Sequence, residues 1–239
     1  MIKIENFEVT GWEHAVRGMR NPMNSWEKSD SSFCSVNSKG ECRNPKEYLL
    51  CEDCQIIDIT IGSNDHKLMM RLAANGPVHA KYRRMITVYV DILAPLYWWK
   101  EFDTYKVGTV VNSCSTMHKI AAKEFELGDF SHEHVTTRSL EMLMMTIKYL
   151  NECRDLYVNY GAHDNGGYLK PTKKEVWWQM IQLLPSSYNQ RRTVMLNYEV
   201  LANIYEYRRN HKLDEWVGFC KWIENLPYSQ FITGKSIEA

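Results

Sequence analysis

Apolar and polar positions repeat with two different periods along this chain, and the period changes where the elements change. Ile2 and Ile4 open with the two-residue spacing of a strand, and GWEHAVRGMRNP then reads as a short helix stopped before Pro22. QIIDITIG (55–62) is a further strand candidate. Asn64 or Asp65 is placed to cap the helix HKLMMRLAANG, which ends at Gly76 because a helix C-terminus favours glycine. In MITVYVDIL, Ile86, Val88, Val90 and Ile92 fall on one face at period two, which predicts a strand. Pro95 suits a first helical turn, so Ala94–Val107 is expected to be helical, with Gly108 closing it.

The second half changes to helical spacing. In SLEMLMMTIKYLNECRDLYVNY (139–160), Leu140, Leu143, Met144, Ile147 and Leu150 keep one face of a helix. Further helices are expected over about 173–183, 190–209 and 213–225. Strands are therefore expected to be few and early, with helices dominating later. This is an α+β pattern: a small, mostly antiparallel sheet flanked by long helices. Residues 1–239 are expected to form a single α+β domain, interrupted by a polar, turn-rich excursion at about 27–55.

Composition narrows the function classes. Lys+Arg and Asp+Glu each number 29, so no global field draws in nucleic acid or an anionic membrane. No apolar run approaches a membrane span, and MIKIENFEVTGW lacks a charged-then-apolar leader, so a cytoplasmic protein is expected. Seven cysteines, an odd count in a reducing compartment, argue against a disulfide framework. Four of them, Cys34, Cys42, Cys51 and Cys54, follow C-x7-C-x8-C-x2-C, and the last pair has the spacing of a zinc half-site. A structural zinc on these four thiolates is one reading, and four ordinary thiols in a loop is the other. A zinc-containing nucleic-acid module is the weakest reading of function, because the net charge is zero.

Three segments are candidates for binding chemistry. HAKYRR (79–84) and Arg191–Arg192 are local basic clusters. Asn197, Leu201, Ile204 and Arg208 follow one helical stripe, on which the Asn and Arg need polar partners from a ligand, from the chain itself or from another subunit. The third is TVVNSCSTMH (109–118), which follows the aromatic positions Trp98, Trp99 and Phe102. Its run Asn112, Ser113, Cys114, Ser115, Thr116 is too polar for a core. Hydroxyls and backbone N–H groups of this kind suit a phosphate or a pyrimidine edge. Cys114 is a nucleophile candidate with no assured base, although His118 lies four residues on.

A helix ending in NG, a His-containing turn, a strand, AP, an aromatic helix, a polar loop, and later LP before a long helix: this order resembles the flavin-dependent thymidylate synthases. APLYWWKEFDTYKVGTVVNSCSTMH lies over that family's helix and signature loop, and LLPSSYNQRRTVMLNYEVLANIYEYRRNHKLDEW over the helix framing its active site. The likeness covers most of the chain outside the cysteine-rich excursion. It implies a homotetrameric flavoprotein of nucleotide biosynthesis. Such a protein is a methyltransferase holding FAD and dUMP, or a dUMP-like pyrimidine deoxynucleotide, at subunit interfaces for one-carbon or hydride transfer.

Carried over by position, Asn197 and Asn203 match flavin-contacting asparagines, and Lys106 keeps the last charge of an Arg-His-Arg triplet that falls on Thr104, Tyr105 and Lys106. Arg208 matches a nucleotide-binding arginine, Glu101 stands for a substrate-contacting glutamine, and Asn112, Ser113, Cys114 and Ser115 form the substrate loop. No catalytic residue is assigned. Several family cations are replaced: the Ser-x-Arg of the loop falls on Cys114, Ser115 and Thr116, and other cationic or histidine positions fall on Glu199, Ile181 and Met85. Each lost charge-assisted bond to phosphate is worth about 1.5–3 kcal/mol. Arg83, Arg84, Arg191, Arg192 and Lys106 are the available substitutes. The same departures support a second reading, a nucleotide- or partner-binding homologue without synthase activity.

Overall fold

The computed structural model describes residues 2–33, 59–161 and 171–235. In chain order the elements are β1 (Lys3–Thr10), α1 (Trp12–Arg20), β2 (Ser32–Phe33), β3 (Ile59–Thr60), α2 (Ser63–Ala74), β4 (Thr87–Pro95), α3 (Leu96–Phe102), β5 (Val110–Ser113), α4 (Thr137–Val158), α5 (Lys173–Leu183), β6 (Asn189–Asn197), α6 (Tyr198–Arg208), α7 (Asp214–Glu224) and α8 (Gln230–Thr233). β1, β4, β6 and β5 lie side by side in that order, every pair antiparallel. β2 and β3 make a separate two-stranded ribbon. The α+β expectation holds. Among the described residues, no helix is long and apolar enough to cross a membrane.

The alternation in 86–92 has the expected result. Ile86, Val88, Val90 and Ile92 are all buried, and β6 adds Val194 and Leu196 beside them. α3, α6 and α7 cover this face with Trp98, Trp99, Phe102, Leu201, Ile204, Trp216 and Phe219. Trp98 is the hub, with its ring 4.7–5.7 Å from those of Trp99, Phe102, Trp216 and Phe219. A second cluster joins α4 and α5 through Ile147, Leu150, Cys153, Val176 and Met180, closed by Ile120, Phe125 and Phe130.

Four expectations are corrected. Residues 190–209 are not one helix: 189–197 form a central strand, so the sheet draws on both halves of the chain. Gln190, Val194 and Leu196 alternate inward there, a period-two signal that runs straight into helix with no turn residue between. The helix expected over Ala94–Val107 is only Leu96–Phe102, because Pro95 stays extended (φ −68, ψ 152) as the last residue of β4. α2 is capped neither by Asn64 nor by Asp65. The Asp30 carboxylate accepts from the backbone N–H groups of both, at 2.9 and 3.1 Å. Met144 faces solvent, leaving Leu143, Ile147 and Leu150 as the packed stripe of α4.

Candidate functional site

α3 turns its tryptophans into the core, which leaves Glu101 on the rim facing the end of α6. Glu101 Oε2 accepts from Arg208 Nη1 at 2.7 Å and from Trp216 Nε1 at 2.9 Å, and His211 Nε2 lies 3.5 Å away. Arg208 Nε donates to the Tyr105 hydroxyl at 3.0 Å. Its guanidinium sits 4.9 Å from the Trp216 ring centre and 5.7 Å from that of Tyr105. Two of the expected substrate residues, Glu101 and Arg208, are thus in direct contact inside an aromatic frame. The carboxylate balances the guanidinium, whereas an amide at 101 would leave the positive charge unmatched. Lys106 is exposed just beyond Tyr105.

The polar loop is built as the edge of the sheet. Asn112 pairs with Thr193 and Ser113 with Arg192 along β6. Cys114 N–H donates to the Arg191 carbonyl at 3.0 Å, and Gln190 Nε2 donates to the Cys114 carbonyl at 2.8 Å. His118 meets the loop through its backbone N–H, which donates to Ser115 Oγ at 3.0 Å. Asn112, Ser113, Cys114 and Ser115 are all exposed. The flanking substitute cations are engaged: Arg191 with Glu5 at 2.8 Å, and Arg192 with Asp103 at 2.7 Å while stacked 4.2 Å over Trp99.

The two asparagines expected at a flavin do different things. Asn197 caps α6, its Oδ1 accepting from the N–H groups of Glu199 and Val200, both at 3.1 Å. Asn203 is exposed and lines a cavity of about 410 Å³ with Arg83, Glu199 and Arg209. Arg83 Nη1 and Glu199 Oε2 are 3.8 Å apart, each side chain only 11% exposed. Arg83 Nε and Glu199 Oε2 have no hydrogen-bond partner among the described residues. Burial next to this pair pushes the Tyr82 hydroxyl up to about 12, with Arg83 opposing the shift and Glu199 adding to it. Pairing between position 83 and position 199 is invisible in sequence, and neither Trp216 nor His211 carries a local signal of its place beside Glu101.

A larger cleft of about 1470 Å³ opens between α1 and α2, with Lys67, Arg71, His79 and Lys81 over Met23, Val78 and Met85. The HAKYRR cluster was its only mark in sequence. Ile181, at a position where the resemblance expects an arginine, packs against the α4–α5 core. Cys34, Cys42, Cys51 and Cys54 lie outside the described residues, and among the described residues no group of three His, Cys, Asp or Glu is placed to hold a metal.

A four-stranded antiparallel sheet backed by α3, α6 and α7, with an acid–arginine pair on its rim, defines an α+β fold. The chain shares the fold of the flavin-dependent thymidylate synthases. Thymidylate synthase X from Helicobacter pylori with FAD and dUMP aligns over 98% of both chains at 16% identity, with a TM-score of 0.62. A second structure of the Helicobacter pylori enzyme, complexed with FAD and dUMP, gives the same coverage and identity at 0.60. The UMP/dUMP methylase PolB from Streptomyces cacaoi, bound with 5-Br dUMP, aligns over 94% of this chain and 88% of its own, at 10% identity and 0.53. No family model matches the sequence, and no curated protein does.

Proposed function

We propose that this chain binds a flavin and a pyrimidine deoxynucleotide between copies of itself and takes part in one-carbon or hydride transfer to the base. One observation carries the reading: a single helix, α6, places Asn203 on the 410 Å³ cavity and Arg208 on the Glu101–Tyr105–Trp216 rim. The structures with this fold named above hold FAD with dUMP, or a brominated dUMP. The cavity residues fit the polar edge of a flavin ring. Arg83 Nε is an unused donor and Glu199 Oε2 an unused acceptor, and Asn203 offers both functions. A bound flavin supplies redox chemistry, and the chain's part is to hold and orient it. Arg208, with Tyr105 beside it, holds the nucleotide, and the 112–115 edge presents hydroxyls and amides to it.

The test is an absorbance titration of the purified protein with FAD, followed by dUMP. Saturable perturbation of the flavin bands, enhanced by dUMP and lost in Asn203→Ala, is the expected result. No perturbation and no rise in melting temperature with either ligand overturns the proposal.

A second reading is favoured by the charge pairs themselves. Arg208 is matched by Glu101, Arg83 by Glu199, and position 181 is an isoleucine in a core. A protein so arranged binds a nucleotide or partner without turnover. Mass spectrometry separates the two: a methylated or reduced base, formed with reduced flavin and a one-carbon donor, supports the enzyme, and ligand binding without product supports the binding protein.

A further inference from the structure

His211 stands in the short turn between α6 and α7, and the backbone holds it from both sides. Its own N–H donates to the Arg208 carbonyl at 3.0 Å, and its ring Nδ1 accepts from the Leu213 N–H at 3.2 Å. A backbone N–H can only donate, so Nδ1 carries no proton in this arrangement and the ring hydrogen lies on Nε2. That nitrogen is 3.5 Å from Glu101 Oε2, the oxygen that already accepts from Arg208 Nη1 at 2.7 Å and Trp216 Nε1 at 2.9 Å. The ring is edge-on to Trp216, with 6.4 Å between centres. Glu101 from α3, Arg208 from α6 and Trp216 from α7 are thus the groups that face it. Beside it in the chain, Arg209 and Lys212 are exposed to solvent, and Asp214 is paired with His134 at 2.9 Å.

We infer that His211 sets the charge of the nucleotide site, so that Arg208 holds an anionic nucleotide more tightly once this imidazole is protonated. The inference rests on the reading of Arg208 as the nucleotide-binding arginine. With the ring neutral, the Glu101 carboxylate cancels the Arg208 guanidinium, and an arriving phosphate ester meets a balanced pair. A second proton can enter the ring only at Nδ1, where it displaces the Leu213 N–H. The imidazolium then leaves the turn and shares the Glu101 carboxylate with Arg208. One negative charge cannot balance two cations, so the site gains a net positive charge and the guanidinium is freed for the ligand. Glu101→Gln makes the same change of charge permanently. At His211 it is reversible between about pH 5 and pH 8, the range in which an imidazole changes charge. Linkage makes the effect reciprocal, so an anionic nucleotide draws a proton onto the ring as it binds.

Calorimetric titration of the full chain with dUMP, at about pH 5.5 and about pH 8, tests it. A phosphate ester itself takes up a proton near about pH 6, so the wild type is compared with two variants that cannot titrate at this position. His211→Asn keeps an acceptor for the Leu213 N–H, and His211→Gln keeps a donor for Glu101. Between the basic and the acid pH the wild type is expected to gain about tenfold more affinity for dUMP than either variant, the scale of one charge-assisted bond. It should also take up more protons on binding, read as a difference in heat between buffers of unlike ionisation enthalpy. Affinities that change with pH by the same factor in all three proteins overturn the inference and leave the nucleotide reading standing. A wild type that binds no dUMP at either pH overturns both.

Discussion

Glu101 and Arg208, 107 residues apart in the chain, meet at 2.7 Å on the rim of the aromatic core. The pair is partly exposed, so its own contribution to stability is small, and its weight lies in what it does to the guanidinium. A phosphate or base arriving at Arg208 must share it with a carboxylate. Glu101→Gln removes that competition and should tighten binding of a pyrimidine monophosphate by about tenfold, the scale of one charge-assisted bond. Arg208→Ala should weaken it by a similar factor. Calorimetric titration of both variants measures the two shifts, and equal affinities in all three proteins would place the nucleotide elsewhere.

Asp65 is fully buried and accepts from Arg20 Nε at 2.6 Å, Ser29 Oγ at 2.7 Å and Ser31 Oγ at 2.6 Å. Burial pushes its carboxyl up, but the bonds from Ser31, Ser29 and Arg20 outweigh it and hold the value below the ordinary 3.8. A depressed carboxyl stabilises the fold at every pH above 3.8, and that contribution fades as pH falls through the lower folded value. Asp65→Asn should cost about 3 kcal/mol at neutral pH by leaving Arg20 buried and unmatched. The difference between variant and wild type should shrink in acid, as read from urea unfolding at both pH values.

Trp98 is wholly buried among four aromatic rings, and its indole N–H has no partner among the described residues. Trp98→Ala should lose about 3–5 kcal/mol through the cavity it opens. Trp98→Phe keeps a ring there and removes an unsatisfied donor, so it should cost less than half as much. Thermal unfolding of the pair measures how much of the stability comes from filling the site with a ring and how much the unsatisfied donor costs.

Gly108 sits at φ +78, and a Cβ there would lie 2.9 Å from Asn197 Nδ2 and 3.3 Å from Val200 Cγ2. Gly108→Ala should destabilise by about 1–2 kcal/mol from the left-handed backbone alone. It also presses on the cap of α6, so flavin affinity is expected to fall with stability. A variant that loses stability while binding flavin normally would separate Asn197 from the cofactor.

Elements with one clean period were legible before any coordinates. α1 stops before Pro22, Ile86 to Ile92 alternate into the core, and α5 occupies 173–183. β6 was not legible, because its alternation spans few residues and passes into helix without a breaker. Helical and extended periods then compete over one continuous stretch, and only pairing with β4 settles the strand. The site divides in the same way. Glu101, Asn203 and Arg208 stand out individually through chemistry and resemblance. That Arg208 meets a carboxylate, or that Arg83 lies beside Glu199, depends on elements brought together from distant parts of the chain.

Asn197 is at once the last residue of β6, opposite Thr87, and the cap of α6. With no loop between them, strand and helix move as one lever whose fulcrum is that asparagine. At 1.5 Å per residue, Arg208 rides about 16 Å out along the arm. A slip of one residue between β4 and β6 would swing the guanidinium away from Glu101 and tilt Asn203 out of its cavity in the same motion. Hydrogen-bond register in the middle of the sheet therefore calibrates the aim of both side chains, and substitutions deep in β4 should be felt at the rim before they are felt in the melting temperature.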